Sequence, residues 1–205
     1  MLGIVVSLGP VVAFGAFAAW ADARSRKLKL VDLTDVAPVS KRHARKKPVD
    51  AVVLHQTGFS RGTDPSRYHN VTAHFVVLED GAVVQLHPLT ARLSASDGFN
   101  SRSVSIEFVG NFRSSRGQWW QPEKYGRNTP TAEQIQAGRR LLRLLRDGGL
   151  GYVFAHRQSS SSRGNDPGPE IWQGVGQWAV SSLGMSDGGA GFAIGDGAPL
   201  PDVWR

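Results

Sequence analysis

The chain is 205 residues long, enough for one packed core of roughly 140 residues with extensions and too short for two ordinary domains. It has no cysteine, which excludes disulfides and thiolate metal sites, so any bound metal must be held by histidine and carboxylate. Lys and Arg number 24 against 17 Asp and Glu, a net charge of +7 that suits nucleic acid, anionic lipid or an acidic wall polymer without choosing among them.

Residues 2–20 (LGIVVSLGPVVAFGAFAAW) carry no charge and are long enough to cross a hydrocarbon core of about 30 Å as a helix. We expect residues 1–23 to form an apolar N-terminal helix, either an anchor or signal-like. Ala21-Asp22-Ala23 resembles a small-x-small cleavage site, but no basic side chain precedes the apolar run as a signal peptide requires. Residues 24–48 read as a basic, solvated linker, densest over Lys41-Arg42-His43-Ala44-Arg45-Lys46-Lys47. Without interleaved aromatics or a reading helix, that run predicts no specific nucleic-acid partner.

A globular domain is expected over 49–183. Ala51 to His55 reads as a strand. Val71 to Leu78 and Ala82 to Leu86 flank Glu79-Asp80-Gly81 and predict a hairpin with a tight Asp-Gly turn. Ser103 to Val109 alternates, placing Ser103, Ser105 and Glu107 on one side and Val104, Ile106 and Phe108 on the other. An aromatic-rich loop holds Trp119, Trp120 and Tyr125. Thr131-Ala-Glu-Gln134 resembles a capping box opening a helix to about Asp147. Tyr152 to Ala155 is a further strand, and a second helix is expected from Pro169 to Leu183. The tail, 184–205, is rich in Gly and Pro with isolated Phe192, Ile194 and Trp204, and is expected to pack loosely or to bind a partner. Strands alternating with helices give an α/β fold, a single domain with a mixed central β-sheet flanked by helices.

The chemistry gathers at strand ends. His156 follows the strand Tyr152–Ala155, a Ser/Arg/Gly loop follows it, and Asp166 closes that loop; His55 ends the first strand. A lone strand-end histidine is more often a packing residue, but two of them with Asp166 and Glu107 favour one shared site. Two histidines and one carboxylate leave a tetrahedral zinc an open position, the catalytic rather than the structural arrangement.

Four segments also carry a resemblance. Val-Val-Leu-His55-Gln-Thr57; Thr72-Ala-His-Phe75 followed by Glu79-Asp80-Gly81; Asn100-Ser-Arg-Ser-Val-Ser-Ile-Glu107-Phe-Val-Gly-Asn111-Phe112; and Ala155-His156 followed by Asn165-Asp166-Pro-Gly-Pro169 resemble, in order and spacing, the zinc-dependent N-acetylmuramoyl-L-alanine amidases of the type-2 amidase and peptidoglycan-recognition-protein superfamily. The resemblance covers residues 50 to about 180. It implies a Zn²⁺ cofactor held by His55, His156 and Asp166, Glu107 as general base, peptidoglycan as partner, and hydrolysis of the amide joining N-acetylmuramic acid to L-alanine. Position 164, where many members place an oxyanion-stabilising lysine, is glycine; Arg163 or Arg157 is the expected substitute. Ala73 stands where some members carry a tyrosine, which agrees with Glu107 as base. Thr57, Asn100 and Trp119 are expected to line the groove, and His74 either to orient substrate or to pack. The alternative is a non-catalytic peptidoglycan-binding module on the same fold. Either role places the protein at the cell envelope or outside the cytoplasm, with residues 2–20 exporting it or attaching it to a membrane or particle.

Overall fold

The apolar runs become strands wherever turn residues bound them. The structure, a computed structural model, describes residues 28–113 and 122–205; the expected apolar N-terminal helix and Trp119 lie outside the described residues. The strands are β1 (Leu30–Asp32), β2 (His43–Ala44), β3 (Ala51–Gln56), β4 (Phe75–Val77), β5 (Val83–Gln85), β6 (Ala91–Arg92), β7 (Ser103–Phe108) and β8 (Tyr152–Ala155). Six of them form one sheet in the order β1-β5-β4-β7-β3-β8, while β2 and β6 pair separately. Neighbours from β4 through β7 and β3 to β8 are parallel; β5 runs antiparallel to β4 and parallel to β1, so the sheet is mixed. The hairpin turns at Gly81, whose φ of 77° suits glycine and whose N–H donates to Leu78 O at 3.0 Å.

One face of the sheet belongs to the helices. Helix α1 (Ala132–Asp147) starts where Thr131 Oγ1 accepts the Gln134 N–H at 3.0 Å. The Gln134 side chain does not complete a capping box; it reaches the sheet and donates to Val77 O and Val109 O. Three successive helical stretches, Pro169–Ile171, Trp172–Gln177 and Trp178–Leu183, form α2, which Gly184 ends at φ 63°. Leu141, Leu142 and Leu145 of α1 and Ile171, Trp172 and Val175 of α2 pack on Val52, Leu54, Val104, Ile106, Phe108 and Val153. Each such side chain contributes about 1.5–3 kcal/mol by leaving water. The opposite face carries Ala51, Val53 and Phe154, covered by Phe99, Phe192 and Ile194. The alternation read from β7 therefore holds, with Val104, Ile106 and Phe108 under the helices.

Three segments depart from expectation. The run 71–78 yields only the short β4, because the Ser105 N–H goes to the His74 side chain at 3.0 Å and the ladder stops there. The stretch expected as a solvated linker is docked: β1 extends the sheet, and Arg45 donates to Ala91 O at 2.6 Å and Ser103 O at 3.0 Å. Its guanidinium thus satisfies carbonyls at the sheet margin, which composition alone does not reveal. The tail is packed rather than loose, with Trp204 fully buried and stacked beneath the Arg157 guanidinium, 5.0 Å from its ring centre. It runs along the loop after β8 through Ile194 N–H to Gln158 O and Ala198 N–H to Arg157 O, each 2.8 Å. Among the described residues no helix is long and apolar enough to cross a membrane.

Gly197 lies so near the Gln158 main chain that an added Cβ would fall 2.3 Å from its carbonyl carbon, whereas a Cβ on Gly151 would meet nothing within 4 Å. Gly197→Ala is therefore expected to cost about 1–3 kcal/mol of stability and Gly151→Ala close to none. Urea unfolding followed by circular dichroism checks both, and equal midpoints would show that the tail does not depend on that contact.

Candidate metal centre

Parallel pairing sets the site. In a parallel ladder aligned residues project to the same face, so the register His55↔Glu107 turns both side chains to the face the helices leave open. The last β3–β8 partners are Leu54 and Ala155, and His156 follows at once, entering a short helical turn. Asp166 comes back to the same point at the end of the loop.

His55, His156 and Asp166 are 2 %, 4 % and 2 % exposed, and their ligand-capable atoms converge. His55 Nδ1 lies 3.0 Å from His156 Nδ1 and 3.4 Å from Asp166 Oδ2, and His156 Nδ1 is 2.9 Å from Asp166 Oδ2. Atoms bound at about 2.0–2.1 Å to a tetrahedral zinc sit about 3.3 Å from one another, so this triangle has the size such an ion needs. Three lone-pair-bearing atoms this close require a shared proton or a cation among them. The donor set, two imidazoles and a carboxylate with no thiolate, fits zinc.

The surroundings tune these groups. Burial pushes the Asp166 carboxyl up, but hydrogen bonds from His156 and His55 outweigh it and hold the group below the usual carboxylate range. Burial and then the neighbouring His156 charge push the His55 imidazole down, opposed by Asp166. Burial, followed by the Asp166 charge, raises the Glu107 carboxyl well above its ordinary value, with Arg163 partly offsetting it. Glu107 Oε2 is buried without a protein partner, as a group reserved for water or substrate would be. A cavity of about 290 Å³ opens beside it, walled by Thr57, Phe59, Arg61, Asn70, Val71 and Thr72.

The remaining expected site residues fall in different places. Thr57 is on that cavity wall, its hydroxyl donating to Phe59 O and accepting from the Gly110 N–H at 3.1 Å. Arg163 is exposed, close enough for its charge to act on both His55 and Glu107. Arg157 instead faces the tail and loop, donating to Pro199 O and Gly164 O. Asn100 braces its own loop, its side-chain oxygen accepting the N–H of Ala95 at 2.9 Å and of Ser96 at 2.6 Å. His74 is 1 % exposed and wired into the sheet, with Nδ1 at 3.0 Å from the Ser105 N and Nε2 at 3.0 Å from Ala91 O.

Sequence reasoning gave no role to Gln56, Ser96 or Asp97. The Gln56 N–H donates to Asp166 Oδ1 at 2.8 Å, while its carboxamide donates to Asn165 O and Pro167 O on either side of Asp166 and accepts the Phe112 N–H. An amide following His55 in an otherwise apolar strand was the available signal. Ser96 Oγ and Asp97 Oδ2 each lie 3.0 Å from the outer nitrogen of one candidate ligand, His55 Nε2 and His156 Nε2.

Residues 45–169 match the family model described as N-acetylmuramoyl-L-alanine amidase. No curated protein sequence matches the chain. Among solved structures, N-acetylmuramoyl-L-alanine amidase LysC from Clostridium intestinale is similar at 19 % identity, over 77 % of this chain and 99 % of that one, with a TM-score of 0.52. Drosophila PGRP-LB is similar at 15 % identity, over 79 % and 98 % of the two chains, with a TM-score of 0.56. Drosophila Peptidoglycan Recognition Protein SA shares 18 % identity over 74 % and 92 %, at a TM-score of 0.53. At these identities the likeness speaks for the fold alone.

Burial pushes the His74 imidazole down to about 3 from its ordinary 6.5. A depressed pKa means the unfolded chain binds the extra proton, so this contribution to stability is complete above about pH 6.5 and is lost as pH falls toward 3. His74→Asn keeps an acceptor for the Ser105 N–H without titrating. It is expected to lower stability at pH 7 but to flatten the decline between pH 6.5 and 4, measured by urea midpoints at several pH values. An unchanged slope would mean that other groups govern the acid limb.

Proposed function

Because the chain belongs to the N-acetylmuramoyl-L-alanine amidase family, we propose that it is a zinc-dependent peptidoglycan hydrolase, cleaving the amide between N-acetylmuramic acid and the L-alanine of the stem peptide. The observation that carries this reading is the convergence of His55 Nδ1, His156 Nδ1 and Asp166 Oδ2, with Glu107 in register beside His55 on the same face of the sheet. Zinc held by those three residues supplies Lewis acidity toward the scissile carbonyl and acidifies water.

The chain's own groups do the rest. Glu107, with Oε2 unpartnered and its basicity raised by burial, takes the proton from the attacking water and later delivers it to the leaving amine nitrogen. An amide leaving group is poor, so that proton delivery matters. Arg163 places a positive charge at the rim of the site and supports the charge that develops on the carbonyl oxygen, taking over from the lysine replaced by Gly164. Thr57 forms part of the wall against which substrate lies. Trp119, in the aromatic stretch before the helical turn Pro122–Tyr125, is assigned to stacking on sugar. Acting on peptidoglycan requires work at the envelope or outside the cytoplasm, and residues 2–20 suit export or attachment.

Purified peptidoglycan is to be digested with and without chelator, following new L-alanine amino termini by mass spectrometry. We expect chelator-sensitive release, lowered about 10²–10⁴-fold by Glu107→Gln with zinc content unchanged. Arg163→Ala is expected to lower it about tenfold or more. Wall binding without any release of termini by the wild type would sink the hydrolase reading and leave a binding module, in keeping with Gly164.

A further inference from the structure

The two histidines of the metal centre use their ring nitrogens in the same way. Each directs Nδ1 inward to Asp166, and each directs Nε2 outward. The outward nitrogens meet two consecutive residues of one loop, Ser96 and Asp97, at 3.0 Å each. We propose that the loop from Ser96 to Asn100 is the outer shell of the metal centre, with Asp97 the positioning residue for His156 and Ser96 its neutral counterpart on His55. The proposal rests on the zinc reading given above.

The chemistry separates the two partners. A carboxylate only accepts, so the contact with Asp97 Oδ2 requires the proton on His156 Nε2. In the neutral imidazole that leaves the Nδ1 lone pair facing the centre, where a bound metal would take the place of the proton shared with Asp166, and it strengthens Nδ1 as a donor. Ser96 Oγ, which can donate or accept, holds the His55 ring in place without charge and without itself setting the tautomer. Asp97 also brings negative charge to the far side of the imidazole, while Asp166 supplies it on the near side.

The loop is built to hold this arrangement. Asn100 Oδ1 gathers the N–H groups of Ala95 and Ser96, and the Ser159 hydroxyl donates to Ser96 O at 3.1 Å, tying the loop to the segment that carries His156. Gly98 packs closely against the tail, since an added Cβ would fall 2.8 Å from Ile194 Cδ1 and push that side-chain end aside. Asp97 itself has φ 45°, a left-handed conformation that suits glycine and is the single positive φ at a non-glycine position among the described residues. Strain of that kind persists where the surroundings over-determine it and collects at functional sites. Its side chain is 55 % exposed, so no burial of the carboxylate explains its presence. The contact with His156 does.

The full-length chain is to be titrated with Zn²⁺ by calorimetry and with Co²⁺ by visible absorption, as wild type and as Asp97→Asn, Asp97→Gly and Ser96→Ala. Thermal unfolding of the metal-free proteins runs alongside. Asp97→Asn and Asp97→Gly are expected to weaken zinc binding about 10–100-fold and to change the Co²⁺ bands, with a several-fold loss for Ser96→Ala. Glycine relieves the backbone, so metal-free Asp97→Gly should unfold at or above the wild-type temperature. Wild-type binding with all three variants within twofold of it overturns the outer-shell role and leaves the metal centre standing. Weakened binding matched by an equal loss of metal-free stability in the Asn and Gly variants overturns it as well, by making Asp97 a structural residue. Failure of the wild type to bind zinc removes the metal centre and this proposal together.

Discussion

The ladder that holds β3 between β7 and β8 is the constraint on which the site depends. Parallel strands in register send aligned side chains to one face, so residues far apart in sequence arrive together without any loop having to aim them. The helices then settle the sidedness. They cover the face bearing Val52, Leu54, Ile106 and Phe108, and the hydrophobic burial there is what keeps His55 and Glu107 on the other side. A one-residue slip of β3 would place His55 among leucines and turn Leu54 toward the cavity, so core and site enforce the same register.

Gln56 shows how a residue facing away from the site still governs it. Its main-chain N–H donates to the candidate ligand Asp166, and its carboxamide engages the carbonyls on both sides of that residue and the N–H of Phe112. All of these groups are buried, so the arrangement is one in which a single misplaced partner leaves several polar atoms unsatisfied. The same logic extends outward. Arg45 closes off carbonyls at the sheet margin, and the tail fastens the loop after β8 through Gln158 and Arg157. The loop from His156 to Asp166 is thereby fixed from β3, from the Ser96 segment and from the tail.

What was legible in the sequence was local. The alternation Ser103 to Val109, the Asp-Gly turn, the Thr131 cap and the strand ends at His55 and His156 all follow from periods of two or four residues and from short-range hydrogen bonds. The candidate ligand set His55, His156 and Asp166 was readable from those strand ends, and the resemblance added the roles expected of it and of Glu107. What stayed hidden was satisfied at long range. Nothing near Arg45 announces that the carbonyls of Ala91 and Ser103 await it, and nothing in a Gly/Pro-rich tail says that Trp204 will be wholly buried. His74 was ambiguous for the same reason, since a histidine beside an apolar strand reads alike whether it faces a groove or replaces a ladder bond. Asn100 resembles a groove residue until its carboxamide is seen turning back to Ala95 and Ser96.

The contacts that define the centre join residues very distant along the chain: the two facing imidazoles are 101 positions apart, and the Gln56 contact with Asp166 spans 110. Only the pair His156 and Asp166 is local, ten residues apart on one loop, and His55 must come from β3 to complete the triangle. Contacts of such separation form late, after the entropy of closing long loops has been overcome. Whatever the centre binds, its geometry is therefore a property of the whole sheet and is complete only when β3, β7 and β8 are paired.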